Sequence, residues 1–291
     1  MKKYNSVRVF IALTMLALAV PLPAQWSGDP SKNLVISQLC DTWSAKMIYS
    51  NEHYYITYTK GLNSAPCHYL QVLDFNGKAQ FNGDGLLISN FPSQTTSLSD
   101  LKIDLKGNLI LAFGDNRNDA YSDIVVYKID TAGNQLWGLD GISLSLPATE
   151  ESKPLLTVNP DNSITIGFDS YDKAHWQEAL MQIYLYRIAE DGTLCNQGKP
   201  RLIKSELHNL SIESLQGLSD GGALLAYTEG DLETSAKIGV KRIDPAGNDV
   251  WLKDIIVTED SDSRSAKTYA LSDGTLFLAW LKTAKVMVQG V

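Results

Sequence analysis

The chain has 291 residues, 44% hydrophobic and 20% charged, with a formal net charge of −8. That length gives core enough for one large β domain or two smaller ones. The acidic balance argues against nucleic acid and anionic membrane surfaces as partners.

The first residues, "MKKYNSVRVFIALTMLALAVPLPAQ", place Lys2, Lys3 and Arg8 before an apolar run from Val9 to Val20, then Leu22-Pro23-Ala24 ahead of Gln25. This pattern predicts a signal peptide over 1–24, because the run is too short for an ordinary membrane span. A mature protein over 25–291, secreted or held in the periplasm or at the cell surface, follows, with no membrane insertion after signal removal. Cys40, Cys67 and Cys195 form no metal-ligand spacing. No cofactor or metal is expected.

Four later segments align: "VLDFNGKAQF" (72–81), "KIDTAGNQLW" (128–137), "RIAEDGTLCN" (187–196) and "RIDPAGNDVW" (242–251). Their shared glycines are Gly77, Gly133, Gly192 and Gly247. A period of roughly 50–60 residues marks a repeat architecture. Each repeat holds four short stretches that alternate apolar and polar residues, rich in β-branched and aromatic types and divided by Gly, Asn and Asp. In the third repeat these are "PLLTV", "SITIGFDS", "QIYLYRIA" and "GKPRLIK". Four strands joined by tight hairpins describe a propeller blade. The fold class is therefore all-β: a five-bladed β-propeller of four-stranded antiparallel blades near 43–89, 95–145, 152–204 and 210–258. The fifth blade combines 265–291 with 26–37, so that the N-terminal strand closes the ring and removes exposed sheet edges.

The recurring residues have structural work. Asp74, Asp130 and Asp244 can accept backbone N–H groups within a turn, and the following glycine supplies positive φ. Trp137 and Trp251 then fall on outer strands, where each can fill space between twisted sheets; Trp26 matches Trp137. The third repeat departs, with Ala189 for the Asp and Asn196 for the Trp, and the first has Phe81 for Trp.

The segments "GGALLAYTE", "LAFGDNR", "YKIDTAGNQLW" and "KRIDPAGNDVW" resemble the blades of repeat-rich exported proteins of the Bacteroidota. The resemblance spans nearly the whole mature chain. It implies a secreted β-propeller and little about activity.

In such a fold the loops between second and third strands and those between blades share one face. Cys40 and Cys67 both fall there and are expected to pair, leaving Cys195 on an outer strand. The insertion "SYDKAHWQEALMQ" presents Tyr171, His175 and Trp176, able to stack on a sugar or anchor a protein. In "DNRNDAYSD", Arg117 and Tyr121 extend that candidate ligand surface. The crowded Asp residues there lack the glycine and terminal Glu of a calcium loop, so an Asp–Arg surface pair is expected instead. Asp100, Asp104 and Glu213 lie on or near innermost strands, where a glycosidase would place its carboxylates. No nucleophile elbow, zinc-binding His pair or phosphate loop is present.

Near-equivalent blades suit a scaffold. The primary expectation is an exported, monomeric, non-catalytic propeller presenting its loop-rich face to a glycan or extracellular protein. Glycoside hydrolysis in the central channel is the alternative, and a purely structural envelope role the third reading.

Overall fold

The computed structural model describes residues 34, 36–37, 42–62, 65–93, 98–118, 121–172, 180–207, 209–230, 236–257, 263–271 and 273–282. The first sheet contains β1 (Thr42–Ser50), β2 (His53–Leu62), β3 (Ala65–Asp74) and β4 (Leu86–Ser89). The second contains β5 (Ser99–Ile103), β6 (Leu109–Asp115), β7 (Asp123–Ile129) and β8 (Ile142–Ser143). The third contains β9 (Glu150–Val158), β10 (Ile164–Tyr171), β11 (Leu180–Ile188) and β12 (Arg201–Leu207). The fourth contains β13 (Leu210–Gly217), β14 (Ala223–Glu229), β15 (Lys237–Ile243) and β16 (Ile255–Ile256). A pair, β17 (Ser263–Ala270) and β18 (Leu276–Lys282), forms the fifth sheet among the described residues. Within each sheet, strands consecutive in sequence pair antiparallel. The chain is all-β, and its four-stranded units are those the repeat implies.

The apolar core lies between sheets. Tyr55, Leu70 and Val72 of the first sheet meet Leu111, Phe113 and Tyr127 of the second. Ile110 and Ala112 meet Ile164, Ile166 and Phe168 of the third. Ile183 and Leu185 meet Ile212 and Leu225 of the fourth, whose Leu224 and Val240 face Ala266 of the fifth. Every residue of β6 and β7 is buried. Covered on both faces, these strands read as nearly continuous apolar runs rather than clean alternation.

The first strands β1, β5, β9, β13 and β17 neighbour one another in succession. Side chains lock them to the next sheet. The Leu156 N–H donates to Asp100 Oδ2 at 2.9 Å, the Gly217 N–H to Thr157 Oγ1 at 2.8 Å, and the Thr268 N–H to Ser214 Oγ at 3.0 Å. Register breaks in β1, β9, β13 and β17 interrupt pairing with the second strand. Lys153 adopts φ 55° in one of them. Such bulges twist a strand and re-aim its side chains.

The opening motif does what its chemistry suggests. Asp130 Oδ1 accepts the N–H groups of Ala132 (2.9 Å) and Asn134 (2.8 Å), while Gly133 sits at φ 92°. Asp74 and Asp244 repeat the arrangement. The aromatic that follows wedges against the next sheet's equivalent glycine. A Cβ on Gly133 would lie 2.9 Å from the Phe81 ring, and one on Gly192 would lie 2.8 Å from the Trp137 indole. Trp137 also donates its indole N–H to the Glu190 carbonyl at 3.2 Å. Trp251 packs on the core between the fourth and fifth sheets. Trp26 and the segments expected to close the ring, apart from Leu34, Ile36 and Ser37, lie outside the described residues. Ile36 packs on the first sheet and Ser37 Oγ donates to Asp84 at 3.0 Å.

Candidate active site

The second strands of the middle sheets end in related sequences: "LAFGD" (111–115), "TIGFDS" (165–170) and "LAYTE" (225–229). Phe113, Phe168 and Tyr227 correspond. In the second and fourth sheets the acid follows two residues after the aromatic; in the third it follows by one. A strand's side chains alternate between faces, so a one-residue shift sends the carboxylate to the opposite side of the sheet. Asp115 and Glu229 stay with partners on their own side, Arg117 and Lys204. Asp169 instead faces the fourth sheet, accepting the Ile212 N–H and the Ser211 hydroxyl, both at 2.7 Å.

Around Asp169 two concavities adjoin. One, of about 300 Å³, is lined by Glu150, Glu151, Lys153, Tyr171 and Ser211 besides Asp169. The other, of about 370 Å³, shares Lys153, Asp169 and Ser211 and adds Glu213 and Thr228. Lys153 Nζ sits in the middle, donating to Glu213 Oε1 and Ser211 Oγ, each at 2.9 Å. A continuous chain of contacts therefore joins Asp169, Ser211, Lys153 and Glu213. The bulges bring it about: Lys153 occupies the break in β9 and Glu213 the break in β13.

These carboxyl groups sit in different electrostatic surroundings. Burial pushes Asp169 up to about 7, against the lowering effect of its two donors and Lys153, with Glu213 pushing it further up. Burial also raises Glu151 to about 9, reinforced by the neighbouring Asp123. Glu213 pairs with the Lys153 ammonium at 2.9 Å. Two carboxyl groups of the cleft thus hold their protons well above the ordinary carboxylate range, beside the Lys153–Glu213 ion pair, an arrangement suited to proton transfer.

The site residues read from sequence separate here. Glu213 belongs to the cleft, and Tyr171 lines its rim. Asp100 is held by Lys46 at 3.0 Å and Lys102 at 3.3 Å while accepting the Leu156 N–H, so it links three sheets. Asp104 lies at the far end of its strand. It accepts the N–H groups of Lys106 and Asn108 in the β5–β6 turn and pairs with buried Lys128 at 2.9 Å. Arg117 is committed as well: its guanidinium is bidentate to Asp115 at 2.7–2.8 Å, lies 4.7 Å from the Phe91 ring, and is almost fully buried. This pair is a core element where a surface pair was expected, because the loop folds under β4. Tyr121 is half-buried. His175 and Trp176 lie outside the described residues. Cys67 carries a free, buried thiol, and Cys40, its expected partner, also lies outside them; Cys195 is free and half-buried.

Asp169, Lys153 and Glu151 were not singled out in the sequence. Asp169 had a signal, the displaced acid of "FDS" against "FGD". Lys153 had none, since a bulge is invisible in a strand pattern.

No protein-family model matches the chain, and no curated relative does. Solved structures do. An endo-arabinase from Bacteroides thetaiotaomicron aligns at 13% identity over 84% of this chain and 90% of its own, with a TM-score of 0.50. A polysaccharide lyase, an ulvan lyase, aligns at 12% over 81% and 66%, with a TM-score of 0.53. An α-L-arabinofuranosidase from Fusarium graminearum aligns at 11% over 82% and 74%, with a TM-score of 0.50. At these identities the likeness is one of fold, a β-propeller-like stack of four-stranded sheets. It corrects the expectation of a non-catalytic scaffold: the fold is shared with enzymes that cleave glycans, and repeated blades are no argument against catalysis.

Proposed function

We propose that the chain is a glycoside hydrolase acting on a polysaccharide at the cleft between the third and fourth sheets. The observation that carries this reading is the linkage of Asp169, whose burial raises it to about 7, to Glu213 through Ser211 and Lys153. Asp169 would give its proton to the leaving glycosidic oxygen. Glu213 would activate water or attack the anomeric carbon, whichever the separation across a bound sugar permits. Lys153 would pair with Glu213 and fix its orientation, and Tyr171 would bound the sugar site. That similarly folded proteins are named as arabinan- and ulvan-cleaving enzymes supports a glycan substrate.

The test is reducing-sugar release from a panel of arabinans, xylans and acidic polysaccharides. Asp169→Asn and Glu213→Gln are each expected to lower turnover by at least about a hundredfold with the fold intact. No release by the wild type on any member, or full activity in both variants, would sink the proposal.

The same reading includes export through the leader 1–24 and a five-bladed ring closed by residues 26–37 beside the last strand. Succession of the first strands supports the ring. So does the exposure of Met47 and Tyr49 on β1 and of the paired Tyr269 and Phe277 on the fifth sheet, faces that closure would bring together. Cysteine pairs engineered between 34–37 and 286–289 that fail to cross-link would count against closure.

A further inference from the structure

At the other end of these strands, between the third and fourth sheets, a cavity of about 310 Å³ opens beside Asn196. Its position is defined by the repeat. Phe81 fills the equivalent place between the first and second sheets, and Trp137 fills it between the second and third. In the third repeat the wedge residue is Asn196, and the glycine it would cover, Gly247, is approached instead by the aliphatic stem of Arg201, whose Cδ would lie 2.8 Å from an added Cβ. The cavity is thus a socket shaped for a flat ring that this chain does not provide.

Its walls suit a ring with a negative charge. Leu185 and Pro245 contribute apolar surface, and Arg187, Lys199 and Arg201 contribute cations. Arg187 is spent: it donates to Ser163, to the Gly221 and Pro245 carbonyls, and to Asp161. Arg201 is only partly engaged: it lies near enough to Asp244 to join the Asn248 N–H in holding that carboxyl below its usual range, but its Nε is buried with no hydrogen-bond partner among the described residues. A buried donor left unsatisfied is costly, and a ligand acceptor would relieve it. The one acid on the wall, Asp244, has its oxygens occupied by the Asn248 N–H at 2.7 Å and the Asn248 side-chain amide at 3.1 Å. The volume falls at the lower end of small-molecule sites, about 300 Å³.

We propose that this socket binds a small planar aromatic carboxylate. The ring takes the place of the missing indole between the sheets, and the carboxylate lies on Arg201 and Lys199. The site is separate from the carboxylate cleft, which opens at the Ser211 end of β13, whereas the socket is bounded by the turn at Gly221.

The experiment is calorimetric titration of the full chain with indole-3-acetate and with uncharged indole. Saturable one-to-one binding of indole-3-acetate is expected, at least about tenfold tighter than indole because of the charge-assisted contact. Asn196→Trp should refill the socket, abolish that binding and raise Tm. Arg201→Gln should bring the two ligands within about twofold of each other. Absence of saturable binding to the wild type overturns the proposal. So does unchanged binding in folded Asn196→Trp, or an undiminished preference for the acid in Arg201→Gln. Should Asn196→Trp not fold, the Arg201→Gln comparison decides.

Discussion

The second and third sheets share one plan and use it differently. In the second sheet the repeat is kept: the acid of "FGD" pairs with Arg117 inside the core, and Trp137 seals the seam to the next sheet. In the third, the acid is displaced by one residue and the wedge is Asn196. The first change turns Asp169 toward the fourth sheet and builds the cleft. The second leaves the cation-lined socket. Adherence to the repeat gives sealed, structural contacts; departure from it leaves polar groups facing open space. A repeat architecture therefore makes candidate sites visible as the places where one unit disobeys.

Three perturbations sharpen that contrast. The largest effect is expected from Arg117→Ala, which strands the fully buried Asp115 without its counter-ion and should cost about 3–5 kcal/mol. Denaturant unfolding checks it, and a loss below about 1 kcal/mol would mean that water reaches Asp115 after all.

The next concerns Asp169 and pH. Its native pKa is raised from the ordinary 3.8 to about 7. The native state therefore binds more protons than the unfolded state between those values. The stability Asp169 contributes is complete below about pH 4 and is lost as pH rises through about 7, by on the order of 4 kcal/mol at most. Asp169→Asn should flatten that slope across the same window. Parallel stability curves for the variant and wild type between pH 4 and 8 would contradict it.

The smallest effect belongs to Trp137→Asn, which converts the second sheet's seam into the third's. Trp137 is only half-buried, so about 2 kcal/mol is expected rather than the full cost of an enclosed tryptophan. Thermal unfolding measures the loss. A new weak site for indole in the variant would show that the wedge alone keeps the other seam shut.

Much of the fold was legible because local chemistry repeats. The Asp-x-x-Gly turns and the aromatic wedges each follow from short-range rules, and the structure keeps both, whereas the alternation gives way to continuous burial in β6 and β7. The site was legible in part. Glu213 could be placed on a first strand, but Asp100 and Asp104 looked equally suitable. Only their partners distinguish them: Asp100 is clasped by Lys46 and Lys102, and Asp104 by its own turn and Lys128. Only Lys102 shares a strand with its acid; Lys46 lies on another sheet and Lys128 on another strand, distant in sequence, where no spacing rule reaches them. The burial of Arg117 beneath Phe91 was hidden for the same reason.

The sequence by itself determined the unit of construction, because turns and strand faces depend on residues within a few positions of one another. The tertiary structure alone decided which carboxyl groups keep a proton and which seam stays open. Those outcomes depend on desolvation and on charges brought together from separate sheets, and both arise only once the sheets are stacked.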